Sequence, residues 1–439
     1  MKRPAAILVL FFLLNQLYVA GTETPKDKEQ ILSEFMDLKF GMFVHWGPVA
    51  LKGTEIGWSR GREVPVEEYD NLYRKFNPTN FNADEWIKTL KEAGMKYFVI
   101  TTRHHDGFSI WPSEYSEYDI AATPFGRDPL MELKEACDKY GILFGTYYSI
   151  CDWKHPDYPL GSPGGKTRKE TGDMDKFIPF IKGQTRELIE KYNTRILWFD
   201  GEWEEPWTHE MGLDFYHYLK GLDSTVLINN RVDKGRKGME GITISDEFAG
   251  DFATPEQRIG TFDLENPWES CITICRQWAW KPDDKLKSFD ESIQTLLKTV
   301  GGGGNLLLNI GPMPDGRIEQ RQKERLKEIG NWLGKYGESV YGTKGGPYKP
   351  TEKMASTRKG NKIYIYLFNW GKDNVKIPVP GDNEIKGCSI LKGPNLRFEK
   401  ARNNLKIEIP ADHLQNSVLT ICLDMEKDAS EISPIESPY

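Results

Sequence analysis

Between residue 39 and about residue 310, short apolar runs alternate with segments whose apolar residues recur at helical spacing. Strands separated each time by a helix cannot pair as hairpins. They lie parallel in one sheet, joined by crossover helices that cover it. The runs fall at 40–45, 97–102, 143–149, 196–200, 226–229, 242–245, 272–276 and 306–310. Eight such units predict an α/β fold with a (β/α)8-like, TIM-type barrel over residues 26–344; a doubly wound open sheet is the alternative. Local chemistry agrees with this. Asn82, Asp84 and Glu85 suit the unpaired N–H groups that open a helix, and Gly94 suits its end. Leu130, Leu133, Ala136 and Cys137 repeat at helical spacing before the third run, as do Phe177, Ile181 and Leu188 before the fourth.

After Gly345 the period becomes two. Residues 362–368 alternate around Ile363, Ile365 and Leu367, and Val375, Ile377 and Val379 repeat the pattern, with further runs at 405–409 and 418–423. These predict a C-terminal antiparallel β-sandwich over residues 345–426. Residues 427–439 are polar and aperiodic, and read as a flexible, frayed tail. At the other end, Lys2 and Arg3, an apolar run over 5–14 and Val19-Ala20-Gly21 have the order of a secretory signal, so residues 1–21 are expected to be cleaved on export to the periplasm or the medium. That run is too short to anchor the chain across a bilayer core of roughly 30 Å, so no transmembrane anchor is expected.

Charge narrows the partners. Lys and Arg number 58 against 65 Asp and Glu, a net charge of -7. A phosphate backbone requires the opposite sign, so nucleic acid is not an expected partner. The six Cys lie mostly inside apolar segments and read as buried thiols. Cys271 and Cys275 lack the spacing of a zinc or redox pair, and the adjacent His104 and His105 do not make a ligand set, so neither metal nor cofactor is expected. Gly301 to Gly304 lead into an apolar strand rather than a helix, which removes a phosphate-loop reading.

Barrels of this kind place their chemistry where strands end. Three of the seven His stand at the ends of the first two runs, in His45-Trp46-Gly47 and Arg103-His104-His105-Asp106. A single His there often does no more than cap backbone groups; the concentration points to a polar pocket. Alternation puts Trp198 and Asp200 on one face of the fourth run, so this carboxylate would point into the barrel mouth. A retaining glycosidase needs such a nucleophile and a second carboxyl that protonates the leaving oxygen. Glu247, Glu256 and Glu269 are candidates for the second; strand position favours Glu247, and spacing leaves the choice open. Trp46, Trp58, Trp198, Trp278 and Trp280 offer flat faces for a sugar ring.

Phe40-Gly41-Met42-Phe43-Val44-His45-Trp46-Gly47, Arg103-His104-His105-Asp106-Gly107-Phe108, Trp198-Phe199-Asp200-Gly201, Asn230-Arg231 and the stretch from Gly302 to Pro312 together resemble the α-L-fucosidases of glycoside hydrolase family 29. The resemblance implies a barrel followed by a β-sandwich and hydrolysis of terminal α-L-fucose from oligosaccharides or glycoconjugates, with retention of configuration. It makes Asp200 the nucleophile and points to Glu256, not Glu247, as acid/base. It places His45, His104, His105, Tyr147, Trp198 and Arg231 around the sugar or the nucleophile, and Trp58 and Trp278 as aromatic walls, Trp278 near the C5 methyl. One position departs: Gly57 precedes Trp58 where the family often has Glu, so that hydroxyl contact is absent or comes from Glu55 or Glu63. A non-catalytic fucose- or glycan-binding protein on the same scaffold is the alternative, disfavoured because binding alone gains little from buried carboxylates.

Overall fold

The computed structural model describes residues 27–163 and 166–439, so the expected signal at residues 1–21 lies outside the described residues. Seven strands form one parallel sheet: β1 (Phe40–Val44), β2 (Tyr97–Arg103), β3 (Leu143–Ser149), β4 (Ile196–Asp200), β5 (Leu227–Ile228), β6 (Glu269–Thr273) and β7 (Asn305–Ile310). Their order is β5-β4-β3-β2-β1-β7-β6. This is cyclic order with no reversal, whereas a doubly wound sheet has a switch point where the order turns back.

Side-chain alternation along these strands feeds two separate cores. Phe98, Ile100, Leu197, Phe199, Leu306 and Leu308 pack outward with helix residues such as Ile87, Leu90 and Leu133. Phe43, Tyr97, Tyr147, Trp198 and Leu307 form a smaller inner cluster. The inner face is crowded: a Cβ on Gly41 would run into the Tyr97 ring, so only glycine fits there. Phe35, from the helix Lys28–Leu38, closes the inner cluster against Tyr97 and Phe252. The helix opened by Asn82 forms over Ala83–Glu92, with the Asn82 side chain accepting from the Glu85 N–H, and Gly94 follows it at φ +82°.

The expected sixth strand is corrected. Residues 242–245 carry β-branched alternation, but Ile242 and Ile244 are exposed, and Thr243 makes a single antiparallel bridge to Arg236. Alternation without burial on one side supplies no packing to hold a strand in a sheet. Between β5 and β6, residues 252–256 instead make isolated parallel bridges, Phe252 with Asn229 and, on the other side, Ala253 with Trp268 and Glu256 with Cys271.

The C-terminal part contains β8 (Lys344–Gly345), β9 (Met354–Lys359), β10 (Lys362–Phe368), β11 (Asn374–Pro378), β12 (Ile385–Ile390), β13 (Phe398–Ala401), β14 (Asn404–Glu408) and β15 (Val418–Met425). They make two antiparallel sheets, β12-β15-β10-β9-β8 and β11-β14-β13. The alternation in β10 is bifacial. Ile363, Ile365 and Leu367 join Val375, Ile377, Leu405 and Ile407 between the two sheets, while Tyr364, Tyr366 and Phe368 join the main core. The strand therefore braces the parallel part of the molecule. Residues 427–439, expected to fray, are instead tied down. Ala429 is buried, Ile435 exchanges backbone hydrogen bonds with Pro347 and Lys349, and Tyr439 packs edge-on to Trp370. All six cysteines are buried free thiols, and among the described residues no helix is long and apolar enough to cross a membrane.

Candidate active site

Where the parallel strands end, a cavity of about 280 Å³ opens. Its wall brings together His45, Trp58, His104, Tyr147, Trp198, Asp200, Arg231, Glu256 and Trp278. His105, also expected there, lies fully buried behind Asp200, with Nε2 3.6 Å from Asp200 Oδ2.

Asp200 ends β4 on the same face as Trp198. Arg231 Nη1 donates to its Oδ1 at 2.6 Å, and the Tyr147 hydroxyl donates to its Oδ2 at 3.0 Å. The same Arg231 nitrogen stands 2.9 Å from Glu256 Oε2. Those two oxygens therefore lie less than about 5.5 Å apart, close enough for the short-spaced carboxyl pair of a retaining glycosidase and too close for the roughly 6.5–9.5 Å separation of an inverting one. Burial alone pushes the Asp200 carboxyl up, but the guanidinium groups of Arg231 and, further off, Arg236 outweigh it, and the net shift is downward. Asp200 is thus held ionised. Arg231 is itself fixed: Nε donates to Thr254 Oγ1 at 2.9 Å, and the guanidinium lies 4.5 Å over the Trp198 ring.

The histidines are neutral. Burial lowers His45 to about 3 and His105 to about 4, and drives His104 well below its ordinary value. Asn309 settles which nitrogen of His45 carries the proton. Its Nδ2 donates to the Trp278 carbonyl at 2.8 Å, so its Oδ1 must accept from His45 Nδ1, 2.6 Å away. The lone pair of His45 is left on Nε2 to accept from a hydroxyl.

Gly57 has φ +67°, and a Cβ built there would stand 2.8 Å from His104 Nδ1, so His104 occupies the room a larger residue would need. Neither proposed substitute reaches the cavity wall. Glu55 accepts from the backbone N–H of Trp278 at 3.0 Å and of Ala279 at 3.1 Å, which holds the Trp278 loop, and Glu63 is exposed. Two carboxyl candidates are corrected as well. Glu247 sits exposed on the 242–248 loop. Glu269 is buried at the start of β6, beneath the cavity, accepting from Trp198 Nε1 at 3.0 Å and from the Tyr97 hydroxyl. Trp46 is a core residue against Phe81 and Trp86, and Trp280 is absent from the wall.

The wall also includes residues that the sequence reading passed over: Phe43, Trp203, Arg236, Gly238, Met239 and Cys271. Trp203, three residues after Asp200 in the same strand-end stretch, was open to discovery. Arg236 and Met239 were not, because they precede a segment whose pattern imitates a strand.

Burial raises Glu269 to about 7, against an ordinary 4.5. Between those pH values the folded chain keeps a proton that the unfolded chain has lost, so stability is full below about 4.5 and falls as pH rises through 7. Glu269→Gln should therefore lose less Tm than the parent between pH 5 and pH 8 in scanning calorimetry. Parallel curves would show that Glu269 is ionised in the fold.

Comparison with known proteins agrees with this geometry. The family described as α-L-fucosidase matches residues 15–338. Tissue α-L-fucosidase of Homo sapiens is 30% identical over 416 residues, covering 85% of each chain. That of Macaca fascicularis is 31% identical over 419 residues, covering 85% of this chain and 86% of the other. Among solved structures, α-L-fucosidase isoenzyme 1 from Paenibacillus thiaminolyticus superposes with TM-score 0.82 at 32% identity, over 91% of this chain and 100% of that one. A Bacteroides thetaiotaomicron family 29 α-L-fucosidase, trapped as a covalent intermediate with 2-fluoro-fucosyl fluoride, superposes with TM-score 0.81 at 29% identity, over 92% and 98% of the two chains. The chain belongs to the α-L-fucosidase family, glycoside hydrolase family 29, and is a fucose-releasing glycosidase rather than a binding protein.

Proposed function

We propose that the chain is an exo-acting retaining α-L-fucosidase in which Asp200 is the nucleophile and Glu256 the acid/base. The observation that carries this reading is the sharing of one Arg231 nitrogen by Asp200 and Glu256 inside the cavity. An oxygen of Asp200 attacks the anomeric carbon as its bond to the leaving oxygen breaks, and Glu256 delivers its proton to that oxygen. The product is a fucosyl ester of inverted configuration. Water then attacks the same carbon, giving its proton to Glu256 and releasing Asp200, and the second inversion restores the original anomer. His45 Nε2 accepts from a sugar hydroxyl, and His104 and Tyr147 lie around the ring. His105 supports Asp200 from behind. Trp58, Trp198 and Trp278, with Phe43, supply apolar wall. A methyl group in place of a hydroxymethyl at such a wall favours fucose by about 1–3 kcal/mol. Fucosylated oligosaccharides or glycoconjugates are the substrates.

The trapped intermediate of the Bacteroides thetaiotaomicron enzyme supports the double displacement and supplies its test. Incubation with 2-fluoro-fucosyl fluoride followed by peptide mass spectrometry should find the fluorofucosyl adduct on Asp200. An adduct on another carboxylate, or β-fucose as the first-formed product of an α-fucoside, would overturn the assignment.

For the scaffold, residues 252–256 serve as an irregular eighth rung that closes a (β/α)8-like barrel over residues 26–344. The single parallel bridges on both sides support this. Residues 345–426 form the β-sandwich, and the order of residues 1–21 supports export to the periplasm or medium.

A further inference from the structure

We infer that the groove between the segment after β1 and the segment after β3 binds an anionic group, a sulfate ester or a carboxylate, carried by an acidic glycan. The groove has a volume of about 500 Å³ and shares no lining residue with the catalytic cavity. Arg60, Arg62, Lys154, Lys166 and Lys169 line it, and among the described residues no Asp or Glu does, in a chain whose net charge is -7. Lysines scattered over a convex surface need no partner. A concavity lined by one sign of charge focuses its field on whatever enters, and so selects the opposite sign.

One of these charges is already spent. Arg60 Nε and Nη2 donate to the two oxygens of Asp70 at 2.6 and 2.7 Å, while Nη1 donates to the Gly161 carbonyl at 3.1 Å and so ties the two segments together. Among the described residues, none of the other four cations forms an ion pair. Lys169 is half-buried, with Nζ donating to the His155 carbonyl at 2.6 Å. Burial lowers its ammonium to about 8, with Arg60 and Lys154 adding like charge against the pull of Asp152 and Asp70. Asp152 is itself taken up by Arg103 at 2.6 Å. An anion in the groove relieves this repulsion, and the Arg62 guanidinium offers the planar fork that matches sulfate or carboxylate oxygens. Val66, an apolar side chain 44% exposed, and the hydroxyls of Ser162 and Thr167 also line the groove, which suits a sugar ring rather than a bare ion. Trp58 links the groove to the chemistry. It lines the catalytic cavity, while its ring carries the Arg62 guanidinium at 5.7 Å and meets the groove residue Trp153 edge-on at 5.3 Å. In assigning a glycan rather than another anion, the inference rests on the fucosidase reading.

Isothermal titration calorimetry of the full chain with fucose-free ligands tests the groove without turnover. Sulfolactose or sialyllactose should bind, lactose should not, and the affinity should fall as salt rises. Whichever acidic ligand binds more tightly identifies the anion as sulfate or carboxylate. Arg62→Gln and Lys169→Gln should each weaken that binding by about ten-fold and leave kcat/KM for a neutral aryl α-L-fucoside unchanged. Arg62 is exposed, so Arg62→Gln carries the test even where Lys169→Gln fails to fold. No binding of either acidic ligand, lactose bound as tightly as they are, or binding indifferent to both substitutions would overturn the inference. So would sodium sulfate or a DNA oligomer bound as tightly as sulfolactose, the first showing a bare-anion site and the second a polyanion surface. Acidic ligands bound at this groove by a chain that hydrolyses no fucoside would sink the catalytic reading and still support this one.

Discussion

Asp200→Ala should reduce turnover of an aryl α-L-fucoside by a factor on the order of 10⁴ to 10⁶, the scale seen when a covalent nucleophile is removed. Folding should survive, because Arg231, the cation that Asp200 shares, keeps Glu256 at 2.9 Å and its own hydrogen bond to Thr254. A buried charge left without any partner would be far more damaging. Removal of the carboxyl also opens space on the attacking face. Azide entering there displaces the leaving group once, so rescue should yield β-fucosyl azide. Formation of the α-azide would mean that the anomeric carbon is approached from the other side and that Asp200 is not the nucleophile. Circular dichroism and Tm of the variant separate this result from loss of the fold.

Glu256→Ala should show a loss that depends on the leaving group. General acid catalysis contributes about 10²- to 10⁴-fold, so disaccharides, which leave as alkoxides unless protonated, should lose that much. Fucosyl fluoride and strongly activated aryl fucosides need little protonation and should lose far less in the first step. Glu247→Ala is the control, since Glu247 is exposed on its loop and should leave both substrates unaffected. Comparable losses at Glu247 and Glu256 would reassign the acid. A Glu256→Ala loss that is equal for good and poor leaving groups would remove it from proton transfer altogether.

The contrast between these two carboxylates shows where sequence reading reaches and where it stops. Asp200 ends an unbroken apolar run, and the two-residue repeat of a strand puts it on the face of Trp198. Glu256 sits in a stretch that makes isolated bridges and has no period of its own. Strand position therefore selected Glu247, at the end of a run that turned out to be an exposed loop; only resemblance to relatives pointed to Glu256. The tail failed for a related reason. Its hold on the protein comes from a few single contacts, at Ala429, Ile435 and Tyr439, too sparse to leave a pattern.

By itself, then, the sequence determined most of the parallel strands, the polar residues that end them, the alternating C-terminal strand and the strand-end position of Asp200, because each is written in spacing along a few consecutive residues. Only the tertiary structure decided which carboxylate meets Asp200, which tryptophans are wall and which are core, and that Glu269 lies beneath the site rather than in it. Those outcomes depend on what the rest of the chain leaves buried. Arg231 joins a carboxylate 31 residues before it to another that follows it, across a cavity that no local period describes.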